Sequence, residues 1–468
     1  MARFQIGMMG LGVMGANLAR NLASHGFSVA GYDLAPEKRS AFKIADQAGA
    51  LEAMDDIPAF VAALETPRRI ILLVPSGVVD AAIESIKPHL SKGDLLIDLG
   101  NSFFMDTERR ASLMEDEGLY YFFGAGVSGG EKGALRGPAI MPGGQPEAYK
   151  LIEPAFRAIA AKVDGEPCVA YIGPRGAGHY VKMVHNGIEY GIMQAIAEAY
   201  DLLKRVGGAT ADELHAAFSA WNRAELNSYL VEITAAIFAR QDDATGQPLV
   251  ELMLDEAQQK GTGKWTSQNA LDLGVPTHTI NAAVEARIIS AHRAERQQAA
   301  QVFPPGAPSF TGDRVALFED VRAALYAAVL CAYAQGFDLM QAASAEYSYD
   351  LNLAEIATIW RGGCIIRAGL LEDIRAVFGA QPDLPNLLLA EPFRSAIAER
   401  QDAWRRVIAL AVQHGVPVPA LSASLAYFDA YRSERLPANL TQAQRDYFGS
   451  HTYRRIDQQG TFHTEWED

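Results

Sequence analysis

One stretch near the middle of the chain places several ionisable and hydrogen-bonding side chains at helical spacing. Lys182 and Glu189 are seven residues apart, so at about 100° per residue they return to within roughly 20° of the same helical face. His185 and Asn186 fall on that side, and Tyr190 lies at its edge. A possible base and a possible acid on one face indicate proton transfer at two ends of a small molecule.

This face also has an ordinary structural interpretation. A Lys–Glu pair two turns apart is usually a solvated helix surface, and a single histidine is usually a surface or core residue. Met183, Val184 and Ile188 are interleaved with the polar residues, however, and the surrounding helix is strongly apolar. Such surroundings favour a functional site over a solvated face.

A glycine-rich motif near the N-terminus predicts a dinucleotide site. The motif G-x-G-x-x-G consists of Gly10, Leu11, Gly12, Val13, Met14 and Gly15. It follows an apolar strand pattern, opens a helix, and has Asp33 at the end of the next predicted strand. In this context the glycines permit a tight turn, close approach to a pyrophosphate and close helix–strand packing. The alternative is a glycine-rich turn that binds no ligand.

Asp33 bears on the choice of cofactor. A carboxylate at this position accepts hydrogen bonds from both ribose hydroxyls of NAD and repels the 2′-phosphate of NADP. Leu34 follows it, where an arginine would be expected for NADP. Lys38 and Arg39 are close enough in sequence to hold a 2′-phosphate instead. The sequence therefore favours NAD, with NADP as the alternative.

Further groups suited to an anionic substrate occur downstream, each with a bland alternative. Ser128-Gly129-Gly130 follows the fifth predicted strand, where ligands sit in such sheets, but it is also an ordinary turn composition. The segment 260–264 carries two lysines and two glycines without being a P-loop, and is either an oxyanion site or a solvated loop. Basic residues with the same two interpretations are Arg287, Arg445 and His451.

Composition excludes several classes of function. The chain has 468 residues, 49% of them apolar, which predicts two or three domains. A formal net charge of −15 argues against nucleic-acid binding. Three widely spaced cysteines indicate neither a disulfide framework nor a zinc site. No apolar run could span a bilayer and no signal peptide precedes the first strand, so a cytoplasmic protein without membrane contact is expected.

The pattern of apolar residues predicts three regions. Residues 1–176 alternate strands and helices, which predicts an α/β Rossmann-type NAD(P)-binding domain with a mostly parallel sheet. Residues 177–434 predict a large all-α domain for substrate binding and dimerisation, and residues 435–468 a polar, aromatic tail that docks on another surface. Helical patterns cover residues 179–206, 211–219, 222–240, 248–259, 278–300, 314–335 and 395–414.

Together these motifs resemble the decarboxylating 6-phosphogluconate dehydrogenases, essentially from end to end. The stretches that carry the resemblance are residues 10–17, 98–103, 126–130, 140–144, 178–191, 260–265 and 444–453. The resemblance implies oxidation of 6-phosphogluconate at C3 with loss of C1 as carbon dioxide, which gives ribulose 5-phosphate in the pentose phosphate pathway and gluconate utilisation.

The resemblance also implies a role for each matching position. Lys182 would take the C3 hydroxyl proton and then stabilise the enolate oxygen, and Glu189 would protonate C1 of the enediol. The implied substrate-binding residues are Asn101, Ser128, Gly129, Gly130, His185, Asn186, Tyr190, Lys260, Thr262, Arg287, Arg445 and His451. The tail would enter the neighbouring subunit, which implies a homodimer. No metal is implied.

The chain departs from the usual family pattern at the cofactor. NADP-using members usually have alanine at the position of Gly12, Asn-Arg after the second strand, and a lysine where this chain has a proline in the loop Val74-Pro75-Ser76. The implied cofactor-binding residues here are Gly10, Leu11, Gly12, Val13, Met14, Gly15, Asp33, Leu34, Val74, Pro75, Ser76 and Asn101. These differences favour NAD. Two further alternatives are a 3-hydroxyacid dehydrogenase with a non-phosphorylated substrate and a nucleotide-sensing scaffold without turnover.

Overall fold

A seven-stranded sheet forms the N-terminal part of the chain in the computed structural model, which describes residues 3–44, 49–118, 120–304, 306 and 310–467. Its strands are β1 (Ile6–Met9), β2 (Val29–Tyr32), β3 (Leu51–Ala53), β4 (Arg69–Leu72), β5 (Leu95–Asp98), β6 (Tyr121–Ser128) and β7 (Ala139–Pro142). Their order is β3-β2-β1-β4-β5-β6-β7. Strands β1 to β6 are parallel, and β7 is antiparallel to β6.

Helices cover both faces of this sheet. They are α1 (Val13–Ser24), α2 (Pro36–Ile44), α3 (Ile57–Ala62), α4 (Val79–Ile86), α5 (Phe104–Glu117), α6 (Gly130–Arg136) and α7 (Pro146–Ile159). One apolar cluster includes Leu18 and Phe156, and the other includes Phe60 and Ile83. The strands are apolar along their length because both faces are buried. A short hairpin, β8 (Lys162–Val163) and β9 (Glu166–Pro167), precedes the helical region.

Beyond this hairpin the described chain is largely helical, as predicted. The helices are α8 (Ala177–Arg205), α9 (Ala211–Trp221), α10 (Tyr229–Ala239), α11 (Thr262–Asp272), α12 (His278–Ser290), α13 (Arg293–Val302), α14 (Arg314–Glu346), α15 (Leu353–Trp360), α16 (Leu370–Ala380), α17 (Phe393–Gln413), α18 (Pro419–Tyr431) and α19 (Ala438–Gly449). The long helices α8 and α14 bury most of their residues and form the centre of this region. Within the described ranges, no helix is long and apolar enough to cross a membrane.

The chain divides into two compact units, Met1–Ser424 and Leu425–Asp468. The first unit contains both the sheet and most of the helices. The second contains the end of α18, helix α19 and an antiparallel bridge between Tyr453 and Phe462. The limits at residues 176 and 434 were predicted from the expected roles of the three regions, namely nucleotide binding, substrate binding with dimerisation, and docking of the tail. They stay a proposal.

Three of the predicted helices are wrong in detail. The pattern at 222–240 is helical only over Tyr229–Ala239, because residues 222–226 form turns and the Ser228 side chain caps the start of the helix. Residues 248–259 form one short 3₁₀ turn, Leu249–Leu252, followed by irregular chain. Leu252, Met253 and Leu254 are consecutive, so they cannot share one helical face, and all three are exposed. The pattern at 278–300 is two helices, α12 and α13, and α13 buries none of its residues.

Candidate active site

Glycines allow the start of α8 to lie directly against β6. A Cβ atom at Gly126 would overlap the side chain of Lys182, and one at Gly124 would overlap the ring of His179. Gly178 lies against the backbone of Gly124, so a side chain there would also overlap. Because the strand has no side chains at these positions, the first turns of α8 sit close to it and place Lys182 near the carboxyl end of β6.

We expect Gly126→Ala to lower kcat by roughly 10²-fold, because the new methyl group displaces the Lys182 side chain at its base. The measurements are kcat and the melting temperature. Gly379→Ala on α16 is the control, since a Cβ atom there meets nothing within 4 Å. A folded Gly126→Ala enzyme with the original kcat would show that Lys182 does not depend on this contact.

The structure brings Lys182, His185, Ser128 and Glu189 together. The Lys182 Nζ atom lies 3.3 Å from His185 Nδ1, and His185 Nε2 lies 3.3 Å from Ser128 Oγ. A Glu189 carboxylate oxygen lies 3.9 Å from His185 Nδ1. Lys182 and His185 are buried, and the Glu189 side chain is 20% exposed. The imidazole therefore lies between the base and the acid that the sequence predicts.

Asn186 connects this face of α8 to the start of α11. Its side-chain oxygen lies 3.0 Å from His185 Nδ1, and its Nδ2 donates to Thr262 Oγ1 at 3.1 Å. Helix α11 is fixed in turn because the hydroxyl of Thr266 donates to the carbonyl of Met183. The predicted substrate residues of the two helices thus form one hydrogen-bonded set. No group of three or more His, Cys, Asp or Glu side chains could hold a metal ion in the part of the chain that is described.

Burial shifts the pKa values of all three ionisable groups on α8. It lowers the pKa of Lys182 against the opposing effect of the Glu189 carboxylate and the Cys364 thiol. It raises the pKa of Glu189 against the opposing effect of Lys182 and Arg287. Burial lowers the pKa of His185 well below its usual value, and the positive charge of Lys182 lowers it further. Burial thus shifts each of the three groups toward its uncharged form.

Gly129 and Gly130 lie at the turn from β6 into α6. Gly129 has a φ of +117° and packs against the backbone oxygen of Gly363, so a side chain is excluded on two grounds. A Cβ atom at Gly130 would meet nothing within 4 Å, so the backbone here is open to a ligand. The Ser128 hydroxyl accepts a 3.4 Å hydrogen bond from the N–H of Ile365. The geometry suits an oxyanion beside Ser128.

Basic groups lie farther along the same side of α8. The guanidinium carbon of Arg287 lies 3.4 Å from the centroid of the Tyr190 ring, within cation–π distance. Its Nη1 donates to the carbonyl of Gln258 at 3.4 Å. Lys260 is exposed, two residues before Thr262 begins α11. Arg287 and Tyr190 are in contact, whereas Lys260 lies in the exposed loop that leads into α11.

The glycine motif fits a dinucleotide. Gly10 has a φ of +100° and its α-carbon faces the Leu73 backbone, and a Cβ atom at Gly15 would overlap the Gly10 oxygen. A Cβ atom at Gly12 would meet nothing within 4 Å. Helix α1 has no side-chain cap and no acidic residue in its first turn. Free N–H groups therefore face open space at a helix N-terminus, which suits a pyrophosphate.

The Asp33 carboxylate is held at the end of β2. It accepts hydrogen bonds from the N–H groups of Leu11 (2.8 Å) and Ala35 (2.9 Å). The Lys38 ammonium lies 3.5 Å from it, and Arg39 Nη1 donates to the Asp33 carbonyl at 2.7 Å. Both basic residues are on α2, as expected from the sequence. The carboxylate is thus joined to the glycine loop, and two cations lie next to it.

The remaining cofactor residues follow neighbouring strands of the sheet. Val74, Pro75 and Ser76 follow β4, and Asn101 follows β5. Pro75, Ser76, Asn101 and the Leu34 side chain are exposed. Since parallel strands end at one edge of a sheet, these loops and the glycine motif lie along the same carboxyl edge. Val13 and Met14 lie in the first turn of α1 beside them.

A buried ion pair supports the Asn101 loop and was missed from the sequence. The Asp98 carboxylate accepts hydrogen bonds from the N–H of Gly100 (2.9 Å) and the hydroxyl of Ser102 (2.6 Å). Arg110 Nη1 lies 3.6 Å from it, and the same guanidinium makes two hydrogen bonds to Asp80. Asp98 ends an otherwise apolar strand, and a carboxylate at such a position could have indicated a buried polar contact in the sequence. The Asp98 carboxylate thus fixes Gly100 and Ser102, the residues on either side of Asn101.

Arg445 and His451 belong to the second compact unit. Both are exposed, and Arg445 Nη1 donates to the side-chain oxygen of Gln442 at 3.1 Å. The His451 ring packs edge-on beside Phe448, with 5.8 Å between ring centroids. They lie at the C-terminal end of α19 and in the turn after it, so one short segment presents both groups.

Comparison with known proteins assigns the family. The family model for the NAD binding domain of 6-phosphogluconate dehydrogenase matches residues 5–173, and the model for the 6-phosphogluconate dehydrogenase C-terminal domain matches residues 178–466. The chain belongs to the 6-phosphogluconate dehydrogenase family. The resemblance seen in the sequence is therefore confirmed, and the protein is an oxidoreductase of this family with an NAD(P)-binding domain.

Individual members of the 6-phosphogluconate dehydrogenase family match over their full length. A decarboxylating 6-phosphogluconate dehydrogenase of Synechococcus elongatus is 58% identical, with 100% of both chains covered. An NADP(+)-dependent decarboxylating enzyme of Bacillus subtilis is 55% identical, again with 100% of both covered. The structure of Plasmodium falciparum 6-phosphogluconate dehydrogenase, determined with NADP+ and with 6-phosphogluconate, is 42% identical with a TM-score of 0.95, covering 99% of this chain and 100% of that one.

Proposed function

We propose that this protein oxidises 6-phosphogluconate and releases carbon dioxide to give ribulose 5-phosphate, with NAD as the preferred cofactor. The observation that carries the proposal is the buried Lys182 amine on the same face of α8 as Glu189, with His185 between them. The relatives named above support the substrate. The glycine motif and Asp33 support the cofactor.

Lys182 is the base of the first step. Its lowered pKa favours the neutral amine, which can accept the proton of the C3 hydroxyl. When bound, the nicotinamide supplies the acceptor for the hydride that leaves C3. The C3 carbon becomes a carbonyl and the Lys182 amine becomes an ammonium group. The backbone opening at Gly130 and the Ser128 hydroxyl hold the C1 carboxylate of the same molecule.

The second step breaks the bond between C1 and C2. Its electron pair moves toward the new C3 carbonyl, C1 leaves as carbon dioxide, and the Lys182 ammonium stabilises the enolate oxygen. Glu189 then donates its proton to the carbon that becomes C1 of ribulose 5-phosphate. The raised pKa of Glu189 favours the protonated carboxyl that this step requires. One helical face thus provides the base, the electrostatic partner and the acid.

The phosphate end of the substrate needs cations, because the chain as a whole has a formal net charge of −15. One chain supplies a hydroxyl from Thr262 and two cations from Lys260 and Arg287. Arg445 and His451 supply two more groups from the tail of a second copy, so the working enzyme is a homodimer. The contact of Arg287 with Tyr190 keeps the guanidinium beside α8.

The cofactor preference rests on Asp33. Hydrogen bonds to Leu11 and Ala35 hold its carboxylate at the end of β2, where it accepts from ribose hydroxyls and repels a 2′-phosphate. The second candidate is NADP. It is favoured by Lys38 and Arg39 beside the same carboxylate, and by the cofactor named for the Bacillus subtilis relative.

Initial rates with NAD and with NADP, measured on 6-phosphogluconate while the released carbon dioxide is trapped, test the proposal. We expect one carbon dioxide for each reduced cofactor and a higher kcat/KM with NAD. Gluconate is the matched substrate without phosphate. Equal rates on gluconate would favour a 3-hydroxyacid dehydrogenase without a phosphate site, and cofactor binding without any reduction would favour a sensing scaffold.

The double substitution Asp33→Ala with Leu34→Arg is expected to raise the NADP to NAD ratio of kcat/KM at least about tenfold. It removes the repulsive carboxylate and adds a cation, while Lys38 loses its carboxylate partner and becomes free to meet a 2′-phosphate. Glu37→Ala is the control, because it removes an exposed carboxylate from α2, the helix that carries Lys38 and Arg39. An unchanged ratio in the double variant would refute the role assigned to Asp33.

A further inference from the structure

One carboxylate organises the C-terminal unit. Asp446 Oδ1 accepts hydrogen bonds from the N–H of Thr452 (2.8 Å) and the Nδ1 of His463 (2.9 Å). Asp446 Oδ2 accepts from the N–H of Thr464 (3.1 Å) and the Nε1 of Trp466 (2.9 Å). The Asp446 side chain is fully buried. Four donors from two separate segments therefore converge on a single side chain of α19.

The segment between Asp446 and Thr452 contains the turn that carries His451. Helix α19 ends with Ser450 in the left-handed region (φ +50°), and Thr452 has a φ of +59°. A Cβ atom at Gly449 would lie 2.8 Å from the His451 ring, so only glycine leaves room for this ring position. The chain thus turns back sharply, and the hydrogen bond from Thr452 to Asp446 closes the turn.

A second side chain joins Arg445 to the same turn. Gln442 accepts from Arg445 Nη1 through its side-chain oxygen at 3.1 Å, and its Nε2 donates to the carbonyl of Thr452 at 2.6 Å. Arg445 and His451 are the residues next to Asp446 and Thr452 in sequence. Two connections therefore join the end of α19 to Thr452. One runs through the Asp446 carboxylate, and the other runs from Arg445 through the Gln442 amide.

We propose that Asp446 is a positioning residue for the phosphate end of the substrate, because it fixes the separation of Arg445 and His451 before the substrate binds. This inference rests on the proposed function, in which those two side chains contact the phosphate. A site whose donors are held in place loses less conformational freedom on binding and so binds more tightly. The carboxylate itself is buried, so it acts through the residues that it holds.

Asp446→Asn is the first test. The amide group places N–H donors where Thr464 and Trp466 already present donors, so the set of hydrogen bonds cannot persist. We expect KM for 6-phosphogluconate to rise at least about tenfold while kcat changes by less than about threefold, since phosphate contacts are made equally in the ground and transition states. Asp457→Asn is the matched control, because its exposed carboxylate pairs only with Arg455 in the same unit.

Trp466→Phe is the second test, because it removes one donor and leaves no buried charge without partners. We expect a smaller rise of KM in the same direction, with an unchanged elution volume in gel filtration. This variant decides the question if Asp446→Asn does not fold. A role in holding the unit together and nothing more would lower the melting temperature of either variant without changing KM relative to kcat.

The background Arg445→Ala with His451→Ala separates this inference from the proposed function. If both side chains bind the phosphate, this pair raises KM, and adding Asp446→Asn raises it no further. Normal KM in the pair would refute the phosphate role itself. A raised KM in the pair, combined with normal KM in both Asp446→Asn and Trp466→Phe, would overturn the positioning role alone, as would a further additive rise in the triple variant.

Discussion

Lys182→Met is expected to lower kcat by roughly 10²- to 10⁴-fold, the range that general base catalysis contributes. Methionine fills a similar volume in the buried space above Gly126 but cannot accept a proton or stabilise an enolate oxygen. The dissociation constant of the nicotinamide cofactor should change little, because the glycine motif is on other elements. Steady-state rates and a cofactor titration measure the two quantities.

Lys150→Met, an exposed lysine on α7, serves as the control for loss of one positive charge. It should leave both quantities near those of the original enzyme. A Lys182→Met enzyme that retains a tenth or more of the original kcat would remove the base assignment. Loss of cofactor binding with the melting temperature also lowered would instead indicate that Lys182 supports the fold.

Glu189→Gln is expected to lower kcat by about 10²-fold and to change the pH profile. Activity should rise with pH as Lys182, whose pKa is lowered, loses its proton. It should fall as rising pH removes the proton of Glu189, whose pKa is raised. Glutamine cannot donate that proton, so the decline on the alkaline side that belongs to Glu189 should vanish from the variant.

The incorporation of solvent hydrogen at C1 of ribulose 5-phosphate tests the same residue directly. Glu189→Gln should slow this incorporation more than it slows the first reduction of cofactor in a single turnover. Glu285→Gln, an exposed carboxylate on α12, is the control. Equal slowing of both events in Glu189→Gln, with the alkaline decline retained, would contradict the assignment of Glu189 as the acid.

Local patterns in the sequence were sufficient for much of the fold and of the site. The helical spacing of Lys182, His185, Asn186 and Glu189 predicted a shared face, and the structure places these four groups on it. The glycine motif and Asp33 likewise occupy the turn and strand end that their spacing indicated. Such features depend on neighbours close in sequence, so periodicity alone can reveal them.

Features that depend on distant parts of the chain were not predictable in this way. Asp98 and Arg110 form their ion pair only because β5 and α5 pack together. Asp446 receives donors from His463 and Trp466, which the tail brings back to α19. The helix predicted at 248–259 is absent. Its apolar content suggested a buried face, whereas Leu252, Met253 and Leu254 are exposed.

The glycine contacts beneath α8 have a consequence for motion during turnover. The side chains of His179 and Lys182 fill the space that a side chain at Gly124 or Gly126 would occupy, and the backbone of Gly178 lies against that of Gly124. Sliding of the first turns of α8 along β6 would therefore bring these groups into steric overlap. The contacts thus oppose any shift of the Lys182 amine along the strand, and they favour a constant position of Lys182 relative to Ser128 during turnover.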